Sequence, residues 1–302
     1  MPASSVNEHS VNKSQRWLFV VNPGAGQHSV DWPAEIRSFF DSKKLAYEIF
    51  ELPDPCKPGM VEEKIRKSGA TKVIAVGGDG TVKLVASCIK ETDKHLGILP
   101  AGSANGLAKE LGIPASPAEA LPYCLSDKIQ TIHLVRINDE LCIHLADIGF
   151  NAFLIKTFER QKGRGMWGYL KAALKIIWRH PHMEIVIHSG GRKIVRSAAM
   201  LVVANATRYG SGAVINPLGR LDDDLFEIVI VKKISFSELF KMMVTHRTYD
   251  TRKTEVIQTN GIEIRSKRKA HFQVDGEYLG KTEKISASIL KDALKVILPE
   301  SE

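Results

Sequence analysis

The sequence predicts a chain of the α/β plus all-β class: an N-terminal parallel-sheet domain followed by a C-terminal antiparallel β-sandwich. Two observations carry this. Up to about residue 129, short β-branched runs alternate with segments whose apolar residues recur at helical spacing, the pattern of a parallel sheet covered by helices. Beyond it, apolar runs follow one another through turn dipeptides, the pattern of an antiparallel sandwich or barrel.

In the first part, residues 17–21 form an apolar run, and Asp31 is placed to cap a helix carrying Trp32, Ile36, Phe39 and Phe40 on one face. Residues 47–52 read as a strand, and residues 61–67 as a helix closed by Gly69. Residues 72–76 read as a buried strand, and Val82, Val85, Ala86 and Ile89 share a helix face. Residues 96–99 form a further strand before a helix with Leu107 and Leu111. In the second part, Asn138-Asp139 separates runs 131–137 and 141–148, and Gly190-Gly191 separates 183–189 from 193–204. Strands follow at 226–231, 255–259, 262–265, 272–274 and 284–290. One helix interrupts them, where Ser235 and Glu238 form a capping box ahead of Leu239, Met242 and Met243.

Composition narrows the class. Net charge is +8 with pI near 9.2, which suits phosphate-rich or anionic lipid partners. Nucleic acid is not expected as a partner, because no basic motif interleaved with aromatics occurs. Cys56, Cys88, Cys124 and Cys142 form no C-x-x-C pair, so a reducing compartment is expected and a zinc site is not. No apolar run reaches membrane-span length. Residues 1–15 are polar, lack an apolar signal core and read as a disordered lead-in.

Chemistry concentrates at glycine turns. Gly77-Gly78-Asp79-Gly80-Thr81 follows a buried run and opens a helix. Glycine there lets the backbone close on an anion, and the N–H groups at a helix start point at it. Asp79 is placed to orient phosphates directly or through magnesium. The competing reading is a strand-to-helix turn capped by Asp79 or Thr81. Asn22-Pro23-Gly24-Ala25-Gly26 and Leu99-Pro100-Ala101-Gly102-Ser103-Ala104-Asn105 each follow another strand. All three turns fall at strand ends of a parallel-sheet pattern, so they should converge on one crevice. Neither G-x-x-x-x-G-K-[ST] nor G-x-G-x-x-G is present, since Gly26 runs on into Gln27, His28 and Ser29.

Two acidic motifs stand in the second part. Asp275-Gly276-Glu277 sets two carboxylates around a glycine. Phosphoryl transfer uses a carboxylate near the attacking hydroxyl, although a plain hairpin turn has the same residues. Leu221-Asp222-Asp223-Asp224-Leu225 offers hard oxygen ligands for magnesium or calcium, or equally a solvated acidic loop.

In this order the motifs resemble those of the diacylglycerol kinase catalytic family, in its soluble bacterial lipid-kinase branch, over about residues 16–298. The resemblance implies a NAD kinase/diacylglycerol kinase-like fold. An α/β nucleotide-binding domain would span residues 16–129, rejoined by about 291–302, and a β-sandwich lipid-substrate domain would span 130–290. It implies that Gly77, Gly78, Asp79, Gly80 and Thr81 hold the phosphates of ATP. Asn22, Pro23, Gly24, Ala25, Gly26, Gly102, Ser103 and Asn105 would complete the nucleotide site. Asp275 or Glu277 would be the catalytic base, with the choice open and Asp79 in the catalytic set. Asp223 with the carbonyls of Arg220 and Leu225 would hold a structural Mg2+. The implied activity is ATP-dependent phosphorylation of a hydroxyl on a diacylglycerol-like or sphingoid lipid. Departures exist: Val82-Lys83-Leu84 replaces the family's x-Asn-Glu, Gly106 follows Asn105, and PAGSANGL is closer to the sphingosine and ceramide kinase branch.

A helix over residues 166–178 would place Trp167, Leu170, Leu174, Ile177 and Trp178 on one face beside Lys171, Lys175 and Arg179, preceded by Arg160, Lys162 and Arg164. Packing on the sandwich with the cations in water is the preferred reading, and a membrane interface the alternative. The basic run Arg265, Lys267, Arg268 and Lys269 suits anionic headgroups or a solvated turn. The expected protein is cytoplasmic, meeting its lipid substrate as a peripheral protein at the inner membrane face, and a homodimer is left open. Two alternatives compete. One is a NAD kinase-like phosphotransferase, through the shared GGDGT but without its TPTGSTAY-like stretch. The other is an inactive nucleotide- or lipid-binding homologue, suggested by Lys83 and Leu84.

Overall fold

The computed structural model describes residues 15–26, 30–57, 59–153, 155, 182–208, 214–234, 250 and 252–300. The helices expected over residues 166–178 and after Ser235, and the cations Arg160, Lys162 and Arg164, lie outside the described residues. The chain divides into two compact units: residues 1–103, 112–130 and 295–302 form the first, and residues 104–111 and 131–294 the second.

In the first unit, β1 (Trp17–Val21), β2 (Tyr47–Glu51), β3 (Lys72–Gly77) and β4 (His95–Pro100) run parallel in the order β4-β3-β1-β2. β1 and β3 are buried at every position, as strands covered on both faces must be. The covering helices follow from their caps and apolar stripes. Asp31 accepts the Ala34 N–H at 3.1 Å and starts α1 (Trp32–Ser42), which buries Trp32, Ile36 and Phe40. Gly69, left-handed at φ 63°, ends α2 (Met60–Ser68). α3 (Asp79–Ile89) buries Val82, Val85, Ala86 and Ile89. Phe40 packs edge-on against Trp17 and Phe19, with ring centroids 5.5 and 5.0 Å away, an arrangement aromatic quadrupoles favour.

After α4 (Gly106–Glu110), which belongs to the second unit, comes a helix the apolar spacing did not announce. α5 (Pro117–Tyr123) is seven residues long and carries Pro117 and Pro122, so no helical repeat develops. It buries Ala120 and Leu121, and side-chain bonds anchor its last residue and the segment that follows. The buried Tyr123 hydroxyl donates to the Ile98 carbonyl at 2.6 Å and accepts the Ile98 N–H. The buried Lys72 ammonium donates to the carbonyls of Leu125 and Ser126, at 3.3 and 2.9 Å, and to Asp127 at 3.2 Å.

The remaining strands are β5 (Ile129–Ile137), β6 (Glu140–Cys142), β7 (Leu145–Gly149), β8 (Met183–Ser189), β9 (Arg192–Ala198), β10 (Met200–Ala204), β11 (Phe226–Val231), β12 (Thr254–Thr259), β13 (Gly261–Val274) and β14 (Glu277–Ile297). In the second unit the ladder runs β12-β11-β10-β7-β13-β14, with β8 on β13 and β9 on β8. The pairs are antiparallel. Ile148, Ile187, Leu201, Phe226, Ile264 and Ile285 come from six strands into one core. Arg196 of β9 binds Glu255 of β12 through two bonds of 2.8 Å, and Ser189 meets Thr259 at 2.9 Å. These strands are not ladder neighbours, so the sheet folds back over its own core as a sandwich. β13 serves both layers: residues 263–266 pair with β8 and 272–274 with β7. The register slips between Arg265 and Ala270, a bulge that turns the corner. The end of β14 belongs to the first unit, where Lys295 and Val296 pair in parallel with β4.

Three expectations are corrected. The run 141–148 breaks at Ile143-His144, because the N–H groups of Ile143, His144 and Leu145 turn to the Asp275 carboxylate. The run 193–204 breaks at Ala199, whose N–H goes to Val231 and whose carbonyl accepts Phe150. Runs 262–265 and 272–274 are one strand, so Arg265, Lys267, Arg268 and Lys269 lie within β13 and its bulge, not in a turn between strands. No described helix is long and apolar enough to cross a membrane.

Candidate functional site

Parallel topology brings the carboxyl ends of β1, β3 and β4 side by side, and a glycine turn follows each. Backbone bonds lock the ends together: Asn22 N–H to Val76 O at 2.9 Å, and Ala101 N–H to Gly77 O at 3.0 Å. Asn22 then knits two turns with one side chain. Its Oδ1 accepts the Gly24 N–H at 3.0 Å, and its Nδ2 donates to Thr81 Oγ1 at 3.1 Å. The third turn closes on both. Gly26 has φ +72°, and a Cβ there would lie 2.1 Å from the Ala101 carbonyl oxygen; one on Gly78 would lie 3.2 Å from Gly102 Cα. Gly77 is needed for a different reason, since a Cβ would sit 2.3 Å from Thr81 Oγ1. At Gly80 a Cβ would meet nothing within 4 Å, so packing alone does not explain that glycine.

Asp79 is half-buried at the first position of α3, where the positive helix end favours a carboxylate or a bound anion. Asn22, Pro23, Ala25, Gly102 and Ser103 line a cleft of about 720 Å³ that continues past Val30, Asp31, Trp32 and Glu51. That volume is in the range of small-molecule sites. Asn105 is counted with the second unit, where it caps α4 in the left-handed region at φ 53°. Glu110 at the end of α4 accepts the Thr207 N–H at 3.2 Å and its hydroxyl at 2.8 Å.

In the second unit, Asp275 and Gly276 have φ 49° and 87° and join β13 to β14 as a tight hairpin with Val274 opposite Glu277. The Asp275 carboxylate accepts the N–H groups of Ile143 at 3.0 Å, His144 at 2.9 Å and Leu145 at 3.3 Å. Its own N–H reaches the Leu145 carbonyl at 2.9 Å. Gln273 Oε1 accepts the Gly276 N–H at 2.7 Å, while its amide donates to Asp147. Asp147 also accepts from Asn151 at 2.6 Å. Asp147 and Gln273 are buried. The two candidate bases are therefore unlike: Asp275 is half-buried and pinned, Glu277 is exposed. Sequence reasoning missed Asp147, Asn151 and Gln273. Their signal was available as polar residues inside apolar strand runs, which stay buried only with partners.

The acidic loop sorts its three aspartates. Arg220 bonds Asp222 at 3.0 Å and holds its carboxyl below the ordinary range. Lys291 bonds Asp224 and does the same there, with His133 Nε2 3.6 Å away. Asp223 is in no salt bridge among the described residues, and its Oδ1 accepts the Leu225 N–H at 3.2 Å. Among the described residues no group of three or more His, Cys, Asp or Glu side chains is arranged to hold a metal. A cation at this loop would therefore rest on Asp223 and main-chain oxygens, hard donors that suit magnesium or calcium.

Comparison with known proteins agrees with this architecture. Residues 16–137 match the diacylglycerol kinase catalytic domain, and residues 147–298 match the YegS C-terminal NAD kinase beta sandwich-like domain. The chain is 30% identical over 249 residues, 78% of each chain, to a Chromohalobacter salexigens protein named "Probable lipid kinase YegS-like". It is 26% identical over 247 residues, 78% of this chain and 81% of the relative, to the Escherichia coli protein named "Probable lipid kinase YegS". A crystal structure of a diacylglycerol kinase from Bacillus anthracis superposes with a TM-score of 0.71 at 18% identity, covering 94% of this chain and 97% of that one, which speaks to the fold. The chain belongs to the YegS-like lipid kinase family, with a diacylglycerol kinase catalytic domain followed by a YegS-type C-terminal domain.

Proposed function

We propose that this chain transfers the γ-phosphoryl group of ATP to a hydroxyl of a diacylglycerol-like or sphingoid lipid, met at the membrane surface as a peripheral cytoplasmic protein. The observation that carries the reading is the convergence of three glycine turns at neighbouring strand ends of the first unit, the first and third of which line one cleft. Phosphoryl transfer asks little covalent chemistry of a protein; positioning and charge stabilisation supply most of the rate. In this reading the N–H groups heading α3 and the Ser103 hydroxyl bind phosphate oxygens. Asn22, fixed between Gly24 and Thr81, holds the turns at their spacing. Magnesium, when bound, would offset the negative charge gathered by Asp79 and the phosphates, and a structural cation would rest on Asp223 with the carbonyls of Arg220 and Leu225. Asp275 or Glu277 accepts the proton of the lipid hydroxyl. The pinned geometry of Asp275 supports a positioned carboxylate, and the exposure of Glu277 supports one that a substrate hydroxyl can reach.

The test is transfer of label from γ-radiolabelled ATP, with magnesium, to detergent-dispersed diacylglycerol, a sphingoid base, ceramide and NAD. The reading expects label in a lipid. Label on NAD alone would establish the NAD kinase-like alternative. Measured ATP binding with no labelled product would establish an inactive homologue.

A further inference from the structure

Two acidic residues of the cleft pose a chemical question. Asp31 and Glu51 both line the cleft, yet a carboxylate accepts hydrogen bonds only and repels phosphate oxygens. One oxygen of Asp31 is committed, because Oδ1 caps α1 through the Ala34 N–H. Glu51 is not committed. It is exposed, and among the described residues its carboxylate makes no hydrogen bond or ion pair. Its backbone is nonetheless rigidly placed. It is the last residue of β2, in register beside Val21, and the Leu52 N–H binds the Val21 carbonyl at 2.8 Å. Glu51 therefore stands next to the first glycine turn with both carboxylate oxygens available.

The donors in a nucleotide are the ribose hydroxyls and the exocyclic amine of the base, not the phosphates. Glu51 is reached from a glycine turn at the end of β1 through one helix and one strand. In dinucleotide-binding sheets with a G-x-G-x-x-G turn, an acidic residue about 20 positions beyond it reads the ribose hydroxyl; this chain lacks that turn but places Glu51 at the equivalent end of the second strand. We infer that Glu51 is a specificity-determining residue that accepts the 2′- and 3′-hydroxyls of the ribose, making this chain selective for ribonucleoside over deoxyribonucleoside triphosphates. Val30 and Ala115, which also line the cleft, are left for the base. The inference rests on the nucleotide reading of the cleft proposed above.

The experiment is calorimetric titration of magnesium-ATP, 2′-deoxy-ATP, 3′-deoxy-ATP and inorganic tripolyphosphate into the full chain and its Glu51→Ala and Glu51→Gln variants. Tm is recorded alongside; an exposed side chain without partners predicts no change in it. The wild type should bind ATP about tenfold more tightly than either deoxy form, the worth of one charge-assisted hydrogen bond. Glu51→Ala should lose that preference while binding tripolyphosphate at least as tightly as the wild type. Glu51→Gln should keep part of the preference. Equal wild-type affinity for ATP and both deoxy forms, or an undiminished preference in Glu51→Ala, overturns the role of Glu51 and leaves the nucleotide reading standing. Absence of all nucleotide and tripolyphosphate binding in the wild type overturns both.

Discussion

The glycine cradle of the first unit and the Asp275 turn of the second are both tight turns at strand ends, but opposite materials hold them. The cradle is made of backbone. Gly26 sits against the Ala101 carbonyl and Gly78 against Gly102, and a side-chain bond from Asn22 to Thr81 ties two of the turns. The Asp275 turn is made of side chains: one carboxylate gathers three N–H groups from residues 143–145, and Gln273, Asp147 and Asn151 form a second layer. A cradle of bare backbone lets an anion approach closely. A turn of hydrogen-bonded side chains fixes one carboxylate in one place.

Substitutions can break this contrast, and the largest effect is expected in the cradle. Gly26→Ala puts a Cβ into the Ala101 carbonyl at a positive φ. Strain and overlap together should cost about 3 kcal/mol in denaturant unfolding and remove ATP binding. Gly80→Ala sharpens the point, because its Cβ meets open space in a helix. Stability should rise by about 0.5–1 kcal/mol, while ATP affinity falls as the new methyl occupies the ligand's space. Stability and binding moving together in both variants would mean that the glycines serve packing alone.

Next in size is Asp275→Asn, which keeps the shape but offers one acceptor oxygen to three N–H groups. It should cost about 1–3 kcal/mol and abolish lipid phosphorylation. Glu277→Gln, at an exposed position, should stay within about 0.5 kcal/mol of wild type. If Glu277→Gln alone stops turnover, the proton acceptor is Glu277 and Asp275 is a positioning residue. Asn22→Ala, which unties Gly24 from Thr81, should cost about 1–2 kcal/mol and weaken ATP binding without abolishing it.

The smallest effect concerns alkaline pH. Burial pushes the Cys124 thiol and the Tyr123 hydroxyl up, well above their ordinary values. The unfolded chain releases those protons from about pH 8.5 and pH 10 respectively, while the folded chain keeps them. The stability they contribute is complete below about pH 8.5 and declines as pH rises. Cys124→Ala should make the fall in Tm between about pH 8.5 and 10 shallower than in the wild type.

The same contrast explains what the sequence made legible. The parallel sheet and its three turns were readable because each signal is local: a β-branched run, a glycine cluster, then a cap such as Asp31. Parallel topology does the rest by aligning strand ends. The sandwich was readable as a class, but its joints were not. The break at Ile143-His144 exists because Asp275, more than 130 residues later, takes those N–H groups. The merger of two runs into β13 depends on a bulge that passes the strand from β8 to β7. α5 escaped notice because seven residues with two prolines develop no apolar repeat, while Tyr123 anchors its end to Ile98 far back in the chain. Asp222, Asp223 and Asp224 looked alike in sequence, and only the positions of Arg220 and Lys291 separate them.

The most direct measurement of the cradle is amide hydrogen exchange of the full chain across a titration with magnesium-ATP. Segments 22–26, 77–81 and 101–103 should gain protection together, with one shared midpoint. Protection confined to one of the three, or absent at saturating ATP, would contradict a single phosphate cradle.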